Sequence, residues 1–198
     1  MTASTSSLGY ALLGLLARSA ATGYDLTRRM HRPVGWFWTA AHSQVYPELA
    51  KLESGGLVEH EVVEGAGPRP TKRYRLTRTG RARLRDWVAE PAARAPERDP
   101  LMLKVYSLWL LDRPQAVALV EATRTDHAAR LEVYAAQERE MHSRPEALAD
   151  PRTREFAAWA TLRAGISFEQ HRLDWCDWLL AALHDPAVPP PAGRGARG

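Results

Sequence analysis

Apolar residues recur at a helical period at the start of the chain. Leu8, Leu12, Leu15 and Leu16 are spaced by three or four positions, which predicts a first helix from about Leu8 to Arg18. The period then restarts in the stretch SAATGYDLTRRMH, where a threonine at the start suits an N-cap. The threonine is Thr22, and the apolar positions of this second helix are Tyr24, Leu26 and Met30.

A third helix is predicted in the stretch HSQVYPELAKLESGGLV. His42 or Ser43 would cap its start, and Pro47 falls in its early part. Gly55 and Gly56 end it, since glycine favours the backbone conformation found after a helix C-terminus. Its apolar stripe has the spacing i, i+4, i+7 and comprises Val45, Leu49 and Leu52.

Two short stretches with a period of two follow the third helix. Apolar and polar residues alternate over residues 58–63 and again over residues 71–77. Residues 65–70 between them are rich in glycine and proline, so the pair predicts a β-hairpin. Thr77 or Thr79 then begins a fourth helix. The apolar positions of that helix are Leu84, Trp87 and Val88.

The second half of the chain is helical after a linker. Residues 91–100 are rich in proline, alanine and charge, which is typical of a linker. The stretch LMLKVYSLWLLD predicts one short amphipathic helix. Asp112 as N-cap, with Pro114 as an early helical residue, opens a second helix that runs to about Arg144. A third helix occupies roughly residues 151–184.

The last of these helices carries a narrow apolar seam. Its positions alternate between spacings of three and four, as in a coiled coil, and Glu169 alone interrupts the apolar set. The seam comprises Trp159, Leu162, Ile166, Glu169, Leu173, Cys176, Leu180 and Leu183. Such a seam needs a partner surface. The preceding long helix supplies it in an intramolecular hairpin, or a second copy of the chain supplies it; we favour packing between protomers.

Charge is unevenly distributed along the 198 residues. The net charge is +4, but residues 1–90 hold 13 Lys/Arg against 8 Asp/Glu, whereas residues 91–198 hold 14 against 15. From Arg69 to Arg85 there are eight cations and no carboxylate. Three helices followed by a hairpin with a basic tip form the outline of a winged helix-turn-helix. In that fold one helix fits the major groove and the wing brings cations to the phosphates.

The third helix and the hairpin supply the candidate contacts to double-stranded DNA. Outside its apolar stripe the helix presents side chains that are available to DNA, Glu48 among them. The predicted contact residues are Ser43, Gln44, Tyr46, Pro47 and Lys51. Gln44 suits a bidentate contact to adenine, and Ser43 suits a phosphate or a base edge. The wing would supply its cations to the phosphate backbone, namely Arg69, Lys72 and Arg73. The positive charge by itself would also be explained by a basic surface that contacts only solvent.

These stretches resemble the PadR family of transcriptional regulators. The resemblance is carried by LGYALLGLLA, TGYDLTRRM, HSQVYPELAKLESGGLV and KRYRLTRTGRARLRDW. Residues 101–184 are similar to the long helical dimerisation region of the Vir-like subgroup of that family. The resemblance implies a homodimer that binds an inverted-repeat operator, usually as a repressor that a small molecule releases.

The expected fold class is mainly α with a small β-hairpin. Residues 1–90 are expected to form a winged helix-turn-helix DNA-binding domain, and residues 91–100 a linker. Residues 101–185 are expected to form a helical dimerisation domain, and residues 186–198 a disordered tail. The predicted function is sequence-specific regulation of transcription. A constitutive architectural DNA-binding protein without an effector is the alternative.

Tryptophan is unusually frequent, with seven among 198 residues. Large aromatic side chains suit a pocket for a flat aromatic effector between the two parts of the chain, because planar rings stack. The predicted ligand-binding residues are Trp38, Trp87, Trp109 and Trp159. Plain core packing is the alternative for each of them.

Other classes of function find little support in the sequence. There is no glycine-rich phosphate loop, nucleophile elbow or paired acid–base motif, which argues against an enzyme. The histidines lack metal-ligand spacing, so neither a metal site nor a cofactor is expected. Cys176 is the single cysteine and is expected to be a buried, inert thiol rather than a redox sensor. No segment has the pattern of a signal peptide or a membrane span, and the protein is expected to be cytoplasmic.

Overall fold

The computed structural model describes residues 5–30, 42–64, 71–92, 98–143, 145–185 and 187–189. The chain divides into two units, Met1–Arg94 and Ala95–Gly198. Arg69 and Trp38, two of the predicted contact residues, lie outside the described residues, as does the predicted turn over residues 65–70. Most of the predicted tail lies outside them as well.

The first unit combines helices with a small antiparallel sheet. In chain order its elements are α1 (Ser7–Arg18), β1 (Ala21–Thr22), α2 (Gly23–Met30), α3 (His42–Ser54), β2 (Val58–Val63), β3 (Thr71–Leu76) and α4 (Arg78–Ala89). The strand order is β1-β3-β2, with Ala21 opposite Tyr74 and Val58 opposite Leu76. The four predicted helices and the hairpin are confirmed. Strand β1 was not predicted, because two residues are too few to show an alternation.

Threonine side chains fix where two of the helices begin. Thr22 Oγ1 accepts a hydrogen bond from the backbone N–H of Asp25 at 3.1 Å, which confirms Thr22 as the cap of α2. Thr77 Oγ1 accepts one from the backbone N–H of Gly80 at 2.9 Å. The structure therefore selects Thr77, and not Thr79, as the cap of α4.

The predicted glycine pair ends α3. Gly56 has φ of +67°, a backbone conformation that residues with a Cβ atom rarely adopt. The backbone N–H of Leu57 donates to the carbonyl of Leu52 at 2.9 Å and closes the last turn. The hydroxyl of Thr77 donates to the carbonyl of Gly56 at 2.7 Å, so the start of α4 is tied to the end of α3.

One hydrophobic core holds the first unit together. The predicted stripe of α3 is buried in it, as expected of the inner side of that helix. The core residues come from α1, β1, α2, α3, β2 and β3, and they are Tyr10, Leu12, Leu13, Leu15, Leu16, Ala21, Leu26, Met30, Val45, Leu49, Leu52, Val58 and Tyr74. The inner side of α3 is therefore fixed, and its outer side faces away from the core.

The second unit is built from helices. Its elements are α5 (Pro100–Tyr106), a 3-10 turn (Leu108–Leu110), α6 (Arg113–Met141), a second 3-10 turn (Pro145–Leu148) and α7 (Arg154–His184). The capping box predicted to open α6 is present, since Asp112 Oδ1 accepts from the backbone N–H of Gln115 at 2.8 Å. None of the described helices is both long and apolar enough to cross a membrane.

The single short helix predicted over residues 101–112 is wrong in part. Helix α5 stops at Tyr106, and the chain continues as the 3-10 turn before reaching Asp112. Asp112 has ψ of 163°, as an N-cap residue must, and Leu111 before it is extended as well. A helix therefore cannot run continuously into the cap of the next one.

Helices α6 and α7 form an antiparallel hairpin within one chain. The guanidinium of Arg113 at the start of α6 donates to the backbone carbonyl of His184 at the end of α7, and the indole N–H of Trp159 near the start of α7 donates to Glu138 near the end of α6. The buried positions of the seam are Leu162, Glu169, Leu173 and Cys176. Helix α6 is thus the partner of the seam in a single chain. The favoured packing between protomers is corrected here to the intramolecular alternative, because the short 3-10 connection folds α7 back onto α6.

Candidate nucleic-acid interface

The outer side of α3 presents the predicted DNA-contacting residues. Ser43, Gln44, Tyr46, Pro47 and Lys51 are all exposed. Positions three and four residues apart lie above one another on a helix, so these side chains share a continuous surface opposite the buried stripe. This surface combines amide, hydroxyl and ammonium groups, which are the groups that contact base edges and phosphates.

A close approach between α2 and α3 positions the ring of Tyr46. A Cβ atom on Gly23 would lie 2.5 Å from the Cε1 atom of that ring, so a larger residue at this position would displace the ring. The ring is nevertheless 45% exposed. Tyr46 therefore has one face against the start of α2 and the rest available to a ligand.

Glu48 does not belong to the exposed surface of α3. It is 7% exposed, and its carboxylate accepts a hydrogen bond from the hydroxyl of Ser6. The prediction that Glu48 is available to DNA is therefore wrong. The reason is its position: Glu48 lies three residues after Val45 and four before Leu52, so it points to the buried side of the helix.

The wing strand β3 carries the two described cations that were predicted to reach phosphates. Lys72 and Arg73 are both exposed. Lys72 Nζ lies 4.0 Å from Oε2 of Glu53, which is at the end of α3. The next cation of the strand, Arg75, forms an ion pair with Glu59 of β2 at 3.3 Å. Exposed pairs of this kind are weak and leave the cations accessible to a phosphate.

A polar cluster joins the end of α3 to both strands of the wing. Oε1 of Glu53 lies within hydrogen-bond distance of Nδ1 of His60, and Oε2 of the same carboxylate faces Lys72. The ring of His60 lies 5.7 Å from that of Tyr74. Burial raises the pKa of Tyr74, and the charges of Glu53 and Tyr46 raise it further. This cluster was not predicted, because its members are separated along the chain.

Of the two tryptophans predicted to bind ligand in the first unit, Trp87 lies among the described residues. Its ring stacks on that of Tyr10, with centroids 4.3 Å apart and an angle of 7° between the planes. The guanidinium carbon of Arg83 lies 6.0 Å from the centre of the Tyr10 ring. Trp87 is therefore in contact with α1 and also partly exposed.

The two described tryptophans predicted to bind ligand in the second unit are far apart. Trp109 lies in the first 3-10 turn and lines a cleft with Leu183 near the end of α7. Trp159 lies near the start of α7, where its indole N–H donates to Oε1 of Glu138 at 3.3 Å. Positions 159 and 183 are separated by about 36 Å along a helix with a rise of about 1.5 Å per residue. The structure does not bring Trp109 and Trp159 together in one chain.

A buried polar triad lies between α6 and α7 and was not predicted. Oε2 of Glu169 lies 2.5 Å from Nδ1 of His127, and Oε1 lies 3.1 Å from Nε of Arg130. Nη2 of Arg130 also lies 2.8 Å from the same nitrogen of His127. The interruption of the apolar seam at Glu169 was the one signal in the sequence that pointed to this triad.

Cys176 is buried in the seam, as expected. Burial raises the pKa of its thiol, and the neighbouring charge of Asp177 acts in the same direction. The thiol therefore stays un-ionised and unreactive at neutral pH. Among the residues that the structure describes, no group of three or more His, Cys, Asp or Glu side chains is arranged to hold a metal ion.

Comparison with known proteins decides the family. Residues 12–86 match the transcriptional regulator PadR-like family, and residues 97–184 match the virulence activator alpha C-terminal family. Over 180 residues the chain is 32% identical to the negative transcriptional regulator PadR of Bacillus subtilis, which covers 89% of this chain and 97% of that protein. The chain belongs to the PadR family.

Solved structures of PadR-family proteins have the same fold. Bacillus subtilis PadR in complex with operator DNA has a TM-score of 0.81 at 29% identity, covering 90% of this chain and 99% of that chain. The same protein in complex with p-coumaric acid has a TM-score of 0.73 at 29% identity, covering 90% and 99%. The virulence activator AphA of Vibrio cholerae has a TM-score of 0.71 at 29% identity, covering 91% and 100%. The predicted winged-helix fold with a helical C-terminal region is confirmed.

Proposed function

We propose that the chain is a homodimeric repressor that binds an inverted-repeat operator and is released by a small-molecule effector. The observation that carries DNA binding is the exposed polar side of α3, which is held in place by the buried stripe on its other side. A helix with this two-sided character fits the major groove of DNA. The operator complex of Bacillus subtilis PadR supports the same role for this PadR-family chain.

Sequence would be read by the first two turns of α3. The amide of Gln44 is matched to the N6 and N7 atoms of adenine, and Ser43 reaches a base edge or a phosphate. Tyr46 and Pro47 provide apolar contact, for example with a thymine methyl group. Lys51, further along the helix, is placed for a phosphate. These roles are proposals drawn from exposure and side-chain chemistry.

The wing would bind the phosphate backbone. Lys72 and Arg73 are exposed on β3, and Arg69 precedes that strand in the sequence. Each phosphate that a cation neutralises releases counterions, so the affinity falls as salt rises. Residues 1–90 are proposed as the DNA-binding domain on these grounds.

Residues 101–185 are proposed as the dimerisation domain. Two winged helices related by a twofold axis match two half-sites, which one winged helix cannot do. Four large apolar side chains between residues 103 and 110 are 66–85% exposed, and they are Leu103, Tyr106, Trp109 and Leu110. Several exposed large apolar side chains close together in the sequence suit a protein–protein contact. Because α6 already covers the seam of α7, this surface is the better candidate for contact with a second chain.

An effector releases DNA only if it binds more tightly to the arrangement of the dimer that cannot bind DNA than to the DNA-bound arrangement. The p-coumaric acid complex of Bacillus subtilis PadR supports a small aromatic effector for this chain. The predicted ligand-binding set, Trp38, Trp87, Trp109 and Trp159, stays a prediction. In a dimer, tryptophans from two chains could still meet.

The decisive experiment compares a specific duplex with a random one. Protection mapping of the DNA beside the gene of this protein supplies the specific duplex, and fluorescence anisotropy measures binding to both at several salt concentrations. Gln44→Ala is expected to weaken operator binding by about 1–3 kcal/mol and to leave random DNA unchanged. Lys72→Ala with Arg73→Ala should weaken binding to both duplexes and lower the salt slope by about two.

Arg75→Ala is the matched control for the wing. Arg75 lies on the same strand and was not among the predicted contact residues. Its loss removes one cation and should lower the salt slope by at most about one, against about two for the loss of Lys72 and Arg73. Equal affinity of the wild type for operator and random DNA would replace the regulator by the architectural alternative.

A further inference from the structure

The two described cations of the wing that were predicted to contact DNA lie on opposite faces of β3. Successive side chains of a strand point to opposite faces of the sheet. Tyr74 is buried in the core of the first unit, and Lys72, two residues before it, lies on the same face. Arg73 lies on the other face, where it is opposite Glu61 of β2. Lys72 is therefore the cation on the face that packs towards α3.

The carboxylate of Glu53 connects Lys72 to a histidine. Its Oε2 atom lies 4.0 Å from Nζ of Lys72, and its Oε1 atom lies within hydrogen-bond distance of Nδ1 of His60. The side chains of Glu53 and His60 are 31% and 24% exposed, whereas that of Lys72 is 53% exposed. The carboxylate and the imidazole are thus partly shielded from water, and the ammonium group can still reach a ligand.

The surroundings of His60 single out Glu53 as its charged partner. His60 is opposite Tyr74 in the sheet, and burial raises the pKa of Tyr74, so its phenol is neutral at physiological pH. Tyr46 of α3 adjoins Tyr74 and is an ordinary neutral phenol donor at that pH. Glu59 and Glu61, the neighbours of His60 in β2, point to the opposite face. The titratable or charged groups that face His60 are Glu53 from α3 and Lys72 and Tyr74 from β3.

Protonation of His60 changes the charge that Lys72 experiences. Histidine side chains gain and lose a proton between about pH 5 and about pH 8. With a neutral imidazole, one carboxylate and one ammonium group cancel, and Glu53 attracts Lys72. With an imidazolium, the charge of Glu53 is neutralised by His60, and the three side chains together carry one positive charge. Lys72 is then no longer held by the carboxylate.

We propose that Glu53 and His60 are positioning residues that control, through Lys72, how tightly the wing binds a DNA phosphate. Uptake of a proton by His60 releases Lys72 from Glu53 and makes its ammonium group available to the phosphate. Affinity for DNA therefore rises as the pH falls, and by linkage DNA binding is accompanied by proton uptake. This inference rests on the DNA binding proposed above.

The test is an anisotropy titration of the full-length protein with a random-sequence duplex, which reports phosphate contacts without base readout. It is carried out at about pH 8 and about pH 6, at about 0.1 M salt, where charges act over about 10 Å. Between these pH values the affinity of the wild type should rise by about two- to fivefold more than that of His60→Gln, since exposed ion pairs have energies of this order. The remaining histidines are common to both proteins, so the difference between them is due to His60.

Lys72→Ala and Arg73→Ala are the matched pair that locates the effect. Each removes one exposed cation of β3, so each should weaken binding and lower the salt slope by about one. Lys72→Ala should also lose the additional pH response. Arg73→Ala should retain it, because Arg73 lies on the face away from Glu53.

A second matched pair tests the carboxylate. Glu53→Gln should bind DNA more tightly than the wild type at about pH 8 and should lose the additional pH response. Glu59→Gln removes the carboxylate that pairs with Arg75 on the other face of the wing, so it should retain that response. Thermal melts followed by circular dichroism at both pH values verify that each variant is folded.

The outcomes separate this inference from the function on which it rests. An equal pH response in the wild type and His60→Gln would overturn the inference alone. An equal loss of the response in Lys72→Ala and Arg73→Ala would also overturn it, since this would indicate a general effect of charge. Failure of the folded wild type to bind operator or random DNA at both pH values would overturn the proposed function, and this inference with it.

Discussion

The two units of the molecule bury side chains of different character. Among the described residues, the first unit buries thirteen hydrophobic side chains with Thr27 and Glu48 as its buried polar ones, whereas the second buries six with His127 and Glu169. Helices and a sheet enclose the first core, and two long helices form most of the second. Both interiors therefore contain a hydrogen-bonded carboxylate, Glu48 in the first unit and Glu169 in the second, but apolar packing has the larger share in the first.

Each unit also contains a polar triad of a glutamate, a histidine and a basic residue, in different surroundings. In the first unit Glu53 contacts His60 and Lys72, and in the second Glu169 contacts His127 and Arg130. The glutamate side chain is 31% exposed in the first triad and 6% exposed in the second. Water screens the charges of the exposed triad, so the same chemistry is expected to contribute little there and much more in the buried one.

The largest expected effect is the loss of a core leucine from the first unit. Leu49 and Leu162 are both fully buried, and Leu49→Ala should lower the free energy of unfolding by about 2–5 kcal/mol. Leu162→Ala should lie in the lower part of the same range, because a layer of two helices collapses more easily around a cavity. Amide hydrogen exchange reports the two units separately and provides the measurement.

A larger loss of stability for Leu162→Ala than for Leu49→Ala would contradict this difference between the two cores. A greater loss for Leu162→Ala would mean that the second core is the more rigid one. Leu179→Ala, at a partly buried position of α7, is the control for helix propensity and surface effects.

The next largest effect concerns the buried triad. Glu169→Gln keeps the shape of the side chain but leaves Arg130 and His127 without a negative partner. The free energy of unfolding of the second unit should fall by about 1–3 kcal/mol, since Arg130 is half exposed and retains some solvation. Urea unfolding measures this loss. Glu132→Gln, an exposed glutamate of α6, should change it by less than about 0.5 kcal/mol.

A smaller effect is expected at the junction of α3 and α4. Thr77→Ala removes the cap of α4 and the hydrogen bond to the carbonyl of Gly56, which should lower the free energy of unfolding by about 1 kcal/mol. Thr79→Ala serves as the control, because Thr79 is exposed and is not the cap. Equal losses in urea unfolding would contradict the assignment of Thr77 as the cap.

Local signals in the sequence were sufficient to predict most of the helices. A cap residue identifies the start of α2 and of α6, whereas His42 and Ser43, the predicted caps of α3, both lie inside that helix, which its apolar stripe identifies instead. Thr22 and Asp112 are examples, and each accepts a hydrogen bond from a residue three positions later. The exposed side of α3 follows directly from the buried stripe, so the candidate site on that helix was predictable as well.

Contacts between distant residues were the part that the sequence did not reveal. Glu48 was expected to face DNA, but it bonds to Ser6, and Glu169 was only an interruption of a seam until its contact with His127 was seen. In both cases the partner is 42 positions away. The residues next to a buried glutamate in the sequence do not show which distant residue will pair with it. Periodicity alone therefore assigned Glu48 to the exposed side of its helix and left Glu169 unexplained.

The smallest expected effect is that of the exposed triad. Glu53→Gln should lower the free energy of unfolding of the first unit by less than about 1 kcal/mol, because exposed ion pairs rarely contribute more. The same change removes a negative charge beside Lys72, so DNA affinity should rise by up to about fivefold at low salt. Anisotropy titrations with random and operator duplexes measure this rise.

The dependence on salt identifies the origin of that rise. At 1 M salt the Debye length falls to about 3 Å from about 10 Å at 0.1 M, so a purely electrostatic gain should vanish. Glu59→Gln, which releases Arg75 on the same wing, is the control and should give a similar gain without affecting His60. A loss of DNA affinity in Glu53→Gln alone would mean that the exposed triad holds the wing in place relative to α3. The two triads would then have comparable structural importance in spite of their different burial.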